Sequence, residues 1–277
     1  MEAIHKLFGD CKPITEEEAN NIVNDLSSSL KELGIDFRIL GSFNKKVEGS
    51  LYNDIDIAVK YPFENGSELV SKICKEKEDK TKLGKINEKF NTITISYKVK
   101  EDHDAQVDFM FCDSVEYANF VFHSPNFKKQ ESKYKGMFAA ILLQSIIKNT
   151  YVSKEYFEDG GIKTYTYYSL SQKDGLHKKT KTFIGKRGNR VKSAQLVEDV
   201  FVSNCPYYIL KLIFGDIDFE TVWCFEKLSD YLSKNYDKEF IERVKHDFLT
   251  DWEFELKTPD ELKKEFENLF NDKINSL

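Results

Sequence analysis

The sequence predicts an α+β fold: a small mixed β-sheet with flanking helices, followed by a β-hairpin and a mainly helical C-terminal region. Three observations predict it. Helix-period and strand-period apolar runs alternate through residues 1–150. Two strand-like frames in that half carry acids between apolar residues, Asn53-Asp54-Ile55-Asp56-Ile57-Ala58-Val59 and Gln106-Val107-Asp108-Phe109-Met110-Phe111. Beyond residue 151 a stretch rich in strand formers gives way, from Ser193 onward, to helical spacing.

In chain order, Thr15 and Glu18 form a capping box for a helix reaching Leu33, with Ile22, Val23, Leu26 and Leu30 on its apolar face and Gly34 as its stop. Asp36–Leu40 reads as a strand, Gly41–Asn53 as a loop and Asp54–Lys60 as a second strand. Leu69–Lys77 has helical spacing, and Glu78–Lys89 is charged enough to be an exposed connection. Thr92–Val99 and Ala105–Cys112 alternate as strands do. Tyr117–Phe122 is short and apolar, His123-Ser124-Pro125-Asn126 is a turn, and Met137–Ile147 is apolar enough for a buried helix.

In the second half, Ile162–Leu170 and Leu176–Ile184 flank the turn Lys173-Asp174-Gly175 and predict a hairpin. Gly185–Arg190 is basic and flexible in composition. Helices are expected at Ala194–Phe201, Tyr207–Phe214, Glu220–Leu232, Lys238–Phe248 and Pro259–Phe270. The division expected is therefore 1–150 and 151–277.

The 277 residues are 40% hydrophobic and 32% charged, the balance of a globular chain with a real core. A net charge of −6 argues against a globally basic nucleic-acid binder, while leaving room for a local basic patch. Five cysteines without CxxC spacing point to reduced thiols and a cytoplasmic setting, and they show no zinc pattern. The N-terminus has no signal-peptide character. The apolar run Met137–Leu143 is too short to span a bilayer, so no membrane partner is expected.

The acids carry the chemistry. Alternate residues of a strand share a face, so Asp54 and Asp56 stand side by side while Ile55 and Ile57 point into the core. Two carboxylates so close repel unless a cation lies between them. Mg²⁺, with Mn²⁺ as a substitute, prefers such oxygen ligands. With Asp108 on a neighbouring strand, three carboxylates would converge and could hold two metal ions. Upstream, Gly41 allows close backbone approach to a phosphate, and Ser42 offers an amide and a hydroxyl.

The motif Leu40-Gly41-Ser42, then Asp54-Ile55-Asp56-Ile57, then Val107-Asp108-Phe109, resembles that of the DNA polymerase β-like nucleotidyltransferase superfamily. With Gly-Ser-Phe-Asn-Lys-Lys at 41–46 and His-Ser-Pro…Glu-Ser-Lys-Tyr-Lys-Gly at 123–136, the chain also looks like nucleotidyltransferases encoded by tailed phages. The resemblance covers about residues 15–150. It implies transfer of a nucleoside monophosphate from a nucleoside triphosphate to a hydroxyl, with Asp54 and Asp56 on both metals and Asp108 on the nucleophile side. An RNA 3′-end such as that of tRNA is the expected acceptor. Small-molecule or protein nucleotidylation, cyclic or oligonucleotide synthesis, and an inactive binding scaffold are the alternatives.

Other residues read two ways. Lys45 and Lys46 are triphosphate contacts or exposed loop charges. Lys129 and Lys133, at i,i+4 spacing, are phosphate contacts on one helical face or a solvated helix start. Ser124 serves substrate or the turn, and His123 is a general base or a structural residue. The basic stretch Lys178, Lys179, Lys181, Lys186, Arg187, Arg190 and Lys192, interleaved with Tyr165, Tyr167, Tyr168 and Phe183, tracks nucleic acid or decorates the edges of a hairpin. Asp104 and Asp102 sit in a polar run and are expected to be solvated. Nothing in the pattern gives an oligomeric state.

Overall fold

A computed structural model describes residues 11–88, 90–101, 103–156, 162–187 and 190–255, with backbone alone at 184–187, 190–194 and 251–255. The chain forms two compact units, Met1–Lys133 with Gln172–Asp174, and Tyr134–Ser171 with Gly175–Leu277. The boundary falls before, rather than after, the helix at residues 136–150, because that helix packs on elements of the second unit.

The first unit begins with helix α1 (Glu16–Glu32), whose capping box at Thr15 and Glu18 is formed. Strands β1 (Phe37–Ile39) and β2 (Asp54–Lys60) follow, then α2 (Gly66–Glu76), β3 (Thr81–Asn87), β4 (Thr92–Lys100), β5 (His103–Cys112) and α3 (Val115–Val121). The strands form one mixed sheet in the order β1-β2-β5-β4-β3. β2 and β5 run parallel, and the other neighbours are antiparallel. The sequence missed β3, reading it as a charged connection. Its lysines point outward from a sheet edge, where charge discourages pairing with another chain.

The core lies on one face of this sheet. Ile22, Leu26 and Leu30 of α1 and Val70 and Ile73 of α2 cover Ile55, Ile57, Ile93, Ile95, Val107 and Phe109, all almost inaccessible. Asp25 of α1 ties that layer together, accepting hydrogen bonds from Tyr97 Oη at 2.5 Å and Lys77 Nζ at 2.7 Å. On the opposite face a smaller cluster of Leu40, Ala58, Val115 and Ala118 lets α3 cover one end.

In the second unit, α4 (Gly136–Thr150) precedes an antiparallel meander of β6 (Val152–Tyr156), β7 (Ile162–Ser171), β8 (Gly175–Arg187) and β9 (Arg190–Ser203). Helices α5 (Pro206–Phe214), α6 (Phe219–Trp223), α7 (Phe225–Asn235) and α8 (Lys238–Glu255) complete it. The expected hairpin is the central pair, β7–β8, of four strands. The helix expected at Ala194–Phe201 is strand β9. Leu196, Val197, Val200 and Phe201 mimic a helical stripe in sequence, but β-branched residues and pairing with β8 impose an extended chain, and all four side chains are exposed. The single helix expected at Glu220–Leu232 is broken at Cys224, whose backbone is extended. The helix expected at Pro259–Phe270 and residue Asp102 lie outside the described residues. Aromatic contacts among Tyr134, Phe138, Phe225 and Phe248 fill this unit's core. Asp247 joins α8 to α4 through Lys148 at 2.8 Å and Asn149 at 2.7 Å. Among the described residues no helix is long and apolar enough to cross a membrane.

Candidate active site

The register of the parallel pair sets the site. Asp56 on β2 lies directly beside Asp108 on β5, and Asp108 lies beside Thr94 on β4. The next row along is Asp54, Gln106 and Ser96. Paired residues on adjacent strands share a face, about 4.8 Å apart, so all six project from the face opposite the main core. The three acids, distant in sequence, are thus brought onto one patch of one sheet.

Electrostatics on this patch are unfavourable to its own charges. Burial pushes the Asp56 carboxyl well above the usual carboxylate range, and the neighbouring charges of Asp54 and then Asp108 push it further. Burial also raises Asp108, against the lowering effect of hydrogen bonds from Thr94 and Gln106. Thr94 Oγ1 donates to Asp108 Oδ1 at 2.5 Å, and Gln106 Nε2 donates to Oδ2 at 3.0 Å. Gln106 is 4% exposed, and its Oε1 has no hydrogen-bond partner among the described residues. A buried polar atom left so costs about 1–3 kcal/mol. Among the described residues no basic side chain pairs with Asp56 to relieve the repulsion.

Gly41 is the nearest backbone. The Leu40 amide donates to the Asp56 carbonyl at 2.9 Å, extending the β1–β2 pairing by one residue and placing Gly41 against the acid. Gly41 has φ +65°, and a Cβ there would stand 3.0 Å from Asp56 Oδ2. Both facts favour glycine, which leaves an opening beside the carboxylate. Ser42 starts the turn that follows, accepting the Lys45 amide at 3.0 Å. Lys45 is half-buried; burial lowers its ammonium pKa, Glu131 opposes that shift, and Arg38 adds to it.

The segment 123–131 lies along this turn, through a bridge between Gly41 and His123 and a hydrogen bond from the Lys128 amide to the Lys45 carbonyl. His123 is pushed down to about 3 by burial and then by the charge of Lys45, so it is uncharged at neutral pH and a feeble base. Ser124 is buried. Lys129 and Lys133 do not share a helical face. Lys129 ends a short 3-10 turn, Phe127–Lys129, Gln130 then adopts a left-handed conformation, and α4 begins only at Gly136. Asn126 starts the turn by capping the Lys129 amide, and the left-handed Gln130 ends it. Both lysines are exposed.

In the second unit, part of the basic stretch is engaged within the sheet. Lys178 lies over the Tyr151 ring, Lys181 over Tyr167, and Lys179 Nζ stands 3.4 Å from Asp199. The side chains of Lys186, Arg187, Arg190 and Lys192 lie outside the described residues.

Asp54, Asp56 and Asp108 offer only hard carboxylate oxygens, the donor set that suits Mg²⁺ or Mn²⁺. Among the described residues no three His, Cys, Asp or Glu side chains stand gathered closely enough to enclose an ion, so binding one would draw these carboxylates together. Sequence reading missed Thr94 and Gln106. The signal available was Gln106, two residues before Asp108 and therefore on the same strand face; Thr94 enters only through the β4–β5 register.

No protein-family model matches the chain, and no curated protein matches it. Among solved structures it is similar to an antigenic nucleotidyltransferase-like protein from Paracoccidioides brasiliensis, at 17% identity over 36% of this chain and 48% of that one, with a TM-score of 0.28. It is also similar to polymerase beta from Leishmania infantum in a ternary P/T complex, at 13% identity over 76% of each chain, with a TM-score of 0.44. The chain thus spans about half the length of the first of these proteins. At these values the likeness says nothing about chemistry, which the acidic face must supply.

Proposed function

We propose that the first unit carries out Mg²⁺-dependent nucleotidyl transfer, moving a nucleoside monophosphate from a nucleoside triphosphate to an acceptor hydroxyl, with an RNA 3′-end such as that of tRNA as the favoured acceptor. The observation that carries this reading is Asp56: a densely surrounded carboxylate beside two others, with no basic partner among the described residues, facing the opening left by Gly41. Such a group is uncomfortable in the free protein and comfortable beside a dication.

In this reading Asp54, Asp56 and Asp108 hold the metal, two ions in the full complex, with Mn²⁺ able to replace Mg²⁺. Bound metal would supply charge neutralisation for the pyrophosphate and a lowered pKa for the attacking hydroxyl. The Gly41 backbone and the Ser42 amide and hydroxyl take the phosphates. Lys45, beside that turn, adds positive charge at the triphosphate, and Lys129 and Lys133 reach phosphate from exposed positions. The acceptor oxygen forms a bond to the α-phosphorus as the bond to the bridging oxygen breaks, and pyrophosphate leaves with the electron pair. The hydroxyl proton passes to solvent, since His123 is too weak a base to take it.

The test is incubation with each α-labelled nucleoside triphosphate, Mg²⁺ and total tRNA, comparing the wild-type chain with Asp54→Ala/Asp56→Ala. Label on RNA that vanishes in the variant is the expected result. Label on protein or on a small molecule moves the acceptor to another class. Label transferred equally by both proteins, or by neither, contradicts the proposal.

A further inference from the structure

Asp108 is held from two sides. Each of its oxygens accepts one hydrogen bond from a neighbour on the same sheet face, Oδ1 from Thr94 Oγ1 and Oδ2 from Gln106 Nε2. A carboxylate offers about four lone-pair sites, so both oxygens keep capacity for a cation. The two donors come from different places. Thr94 sits across the β4–β5 ladder, and Gln106 sits one row along on β5 itself. Both are buried, at 6% and 4% exposure. Among the described residues Gln106 Oε1 remains without a partner, so this amide completes no network of its own there. Its Nε2 grips Asp108.

We propose that Thr94 and Gln106 are positioning residues that clamp the Asp108 carboxylate from two sides, so that it can join Asp56 in holding a divalent cation. The inference rests on the nucleotidyl-transfer reading and deepens it. Ligands that must converge on an ion bind it more tightly when a second layer of hydrogen bonds fixes their orientation, and losing one such bond commonly weakens metal binding tenfold or more. Thr94 and Gln106 touch neither nucleotide nor acceptor in this account; they act through Asp108.

The probe is Mn²⁺ alone, titrated into the full chain and followed by loss of the free-ion electron paramagnetic resonance signal, beside thermal melting of the metal-free proteins. Thr94→Val removes the hydroxyl at nearly constant volume, Gln106→Met removes the amide, and Thr94→Ser keeps the hydroxyl. Thr94→Val and Gln106→Met are expected to weaken Mn²⁺ binding about tenfold, while Thr94→Ser stays close to wild type. Melting of metal-free Gln106→Met is expected to be unchanged or higher, since its unpartnered oxygen is gone. Equal Mn²⁺ binding by wild type and both disrupted variants, whatever their melting, overturns the clamp and leaves the parent reading standing. A wild-type chain that takes up no Mn²⁺ overturns both.

Discussion

On one face of the five-stranded sheet, Ile55, Ile57, Ile93, Ile95, Val107 and Phe109 lie beneath α1 and α2 and are all but closed to solvent. One residue along each strand, on the other face, stand Asp54, Asp56, Thr94, Gln106 and Asp108. The backbone is common to both, so the period of two separates stability from chemistry within a single strand. The apolar face gains free energy from every side chain it buries. The acidic face opposes folding, through a carboxyl raised by burial and like charges and through an unpartnered amide oxygen. Residues that resist folding and still occupy one patch support the proposed ligand site.

The contrast breaks most visibly if the double change Asp54→Ala/Asp56→Ala leaves transfer intact. Activity is expected to fall at least a thousandfold, about 4 kcal/mol of transition-state stabilisation, with melting not lowered. On the apolar face the signs reverse: Phe109→Ala should cost about 3–5 kcal/mol of unfolding free energy, read from a urea midpoint. Next comes Gly41→Ala. A left-handed backbone costs a non-glycine residue about 1–2 kcal/mol, and the new methyl group crowds Asp56, so nucleotide affinity is expected to fall more than stability does.

A subtler effect is expected at Asp56→Asn in the metal-free chain. Its folded-state pKa is raised, so the charged carboxylate weakens the fold at neutral pH, by about 1.4 kcal/mol for each pH unit of displacement. The amide should therefore melt higher than wild type at pH 7. The gain should vanish as pH falls below the ordinary carboxylate value, where both folded and unfolded wild-type chains carry the proton. The smallest effect is at Glu18→Gln. Its carboxyl is drawn down to about 2, first by Lys100 and then by the Thr15 amide. Its contribution is present above the ordinary glutamate value and is lost as pH falls toward 2. Its partner Lys100 is exposed, so the loss should stay below about 1 kcal/mol.

What the sequence disclosed follows from which forces are local. The α1 cap, the alternation in β2, β4 and β5 and the three acids are written in short windows, and each was legible. β3 was not, because an edge strand carrying lysines needs no apolar face of its own. β9 was misread because Leu196, Val197, Val200 and Phe201 satisfy a helical stripe as well as a strand, and pairing with β8 decides between them. Lys129 and Lys133 looked like helical neighbours, but the left-handed Gln130 separates them. Thr94 became visible as a partner of Asp108 only through register between strands, which no single window records.

The central claim is that the acidic face gathers around a dication where a triphosphate docks. The most direct measurement is a crystal structure of the chain with Mn²⁺ and a non-hydrolysable nucleoside triphosphate, with anomalous scattering used to place the metal. The account predicts anomalous density ligated by Asp54, Asp56 and Asp108, with the triphosphate against Gly41 and Ser42. Nucleotide seated elsewhere, or metal bound with none of these three carboxylates, would contradict it.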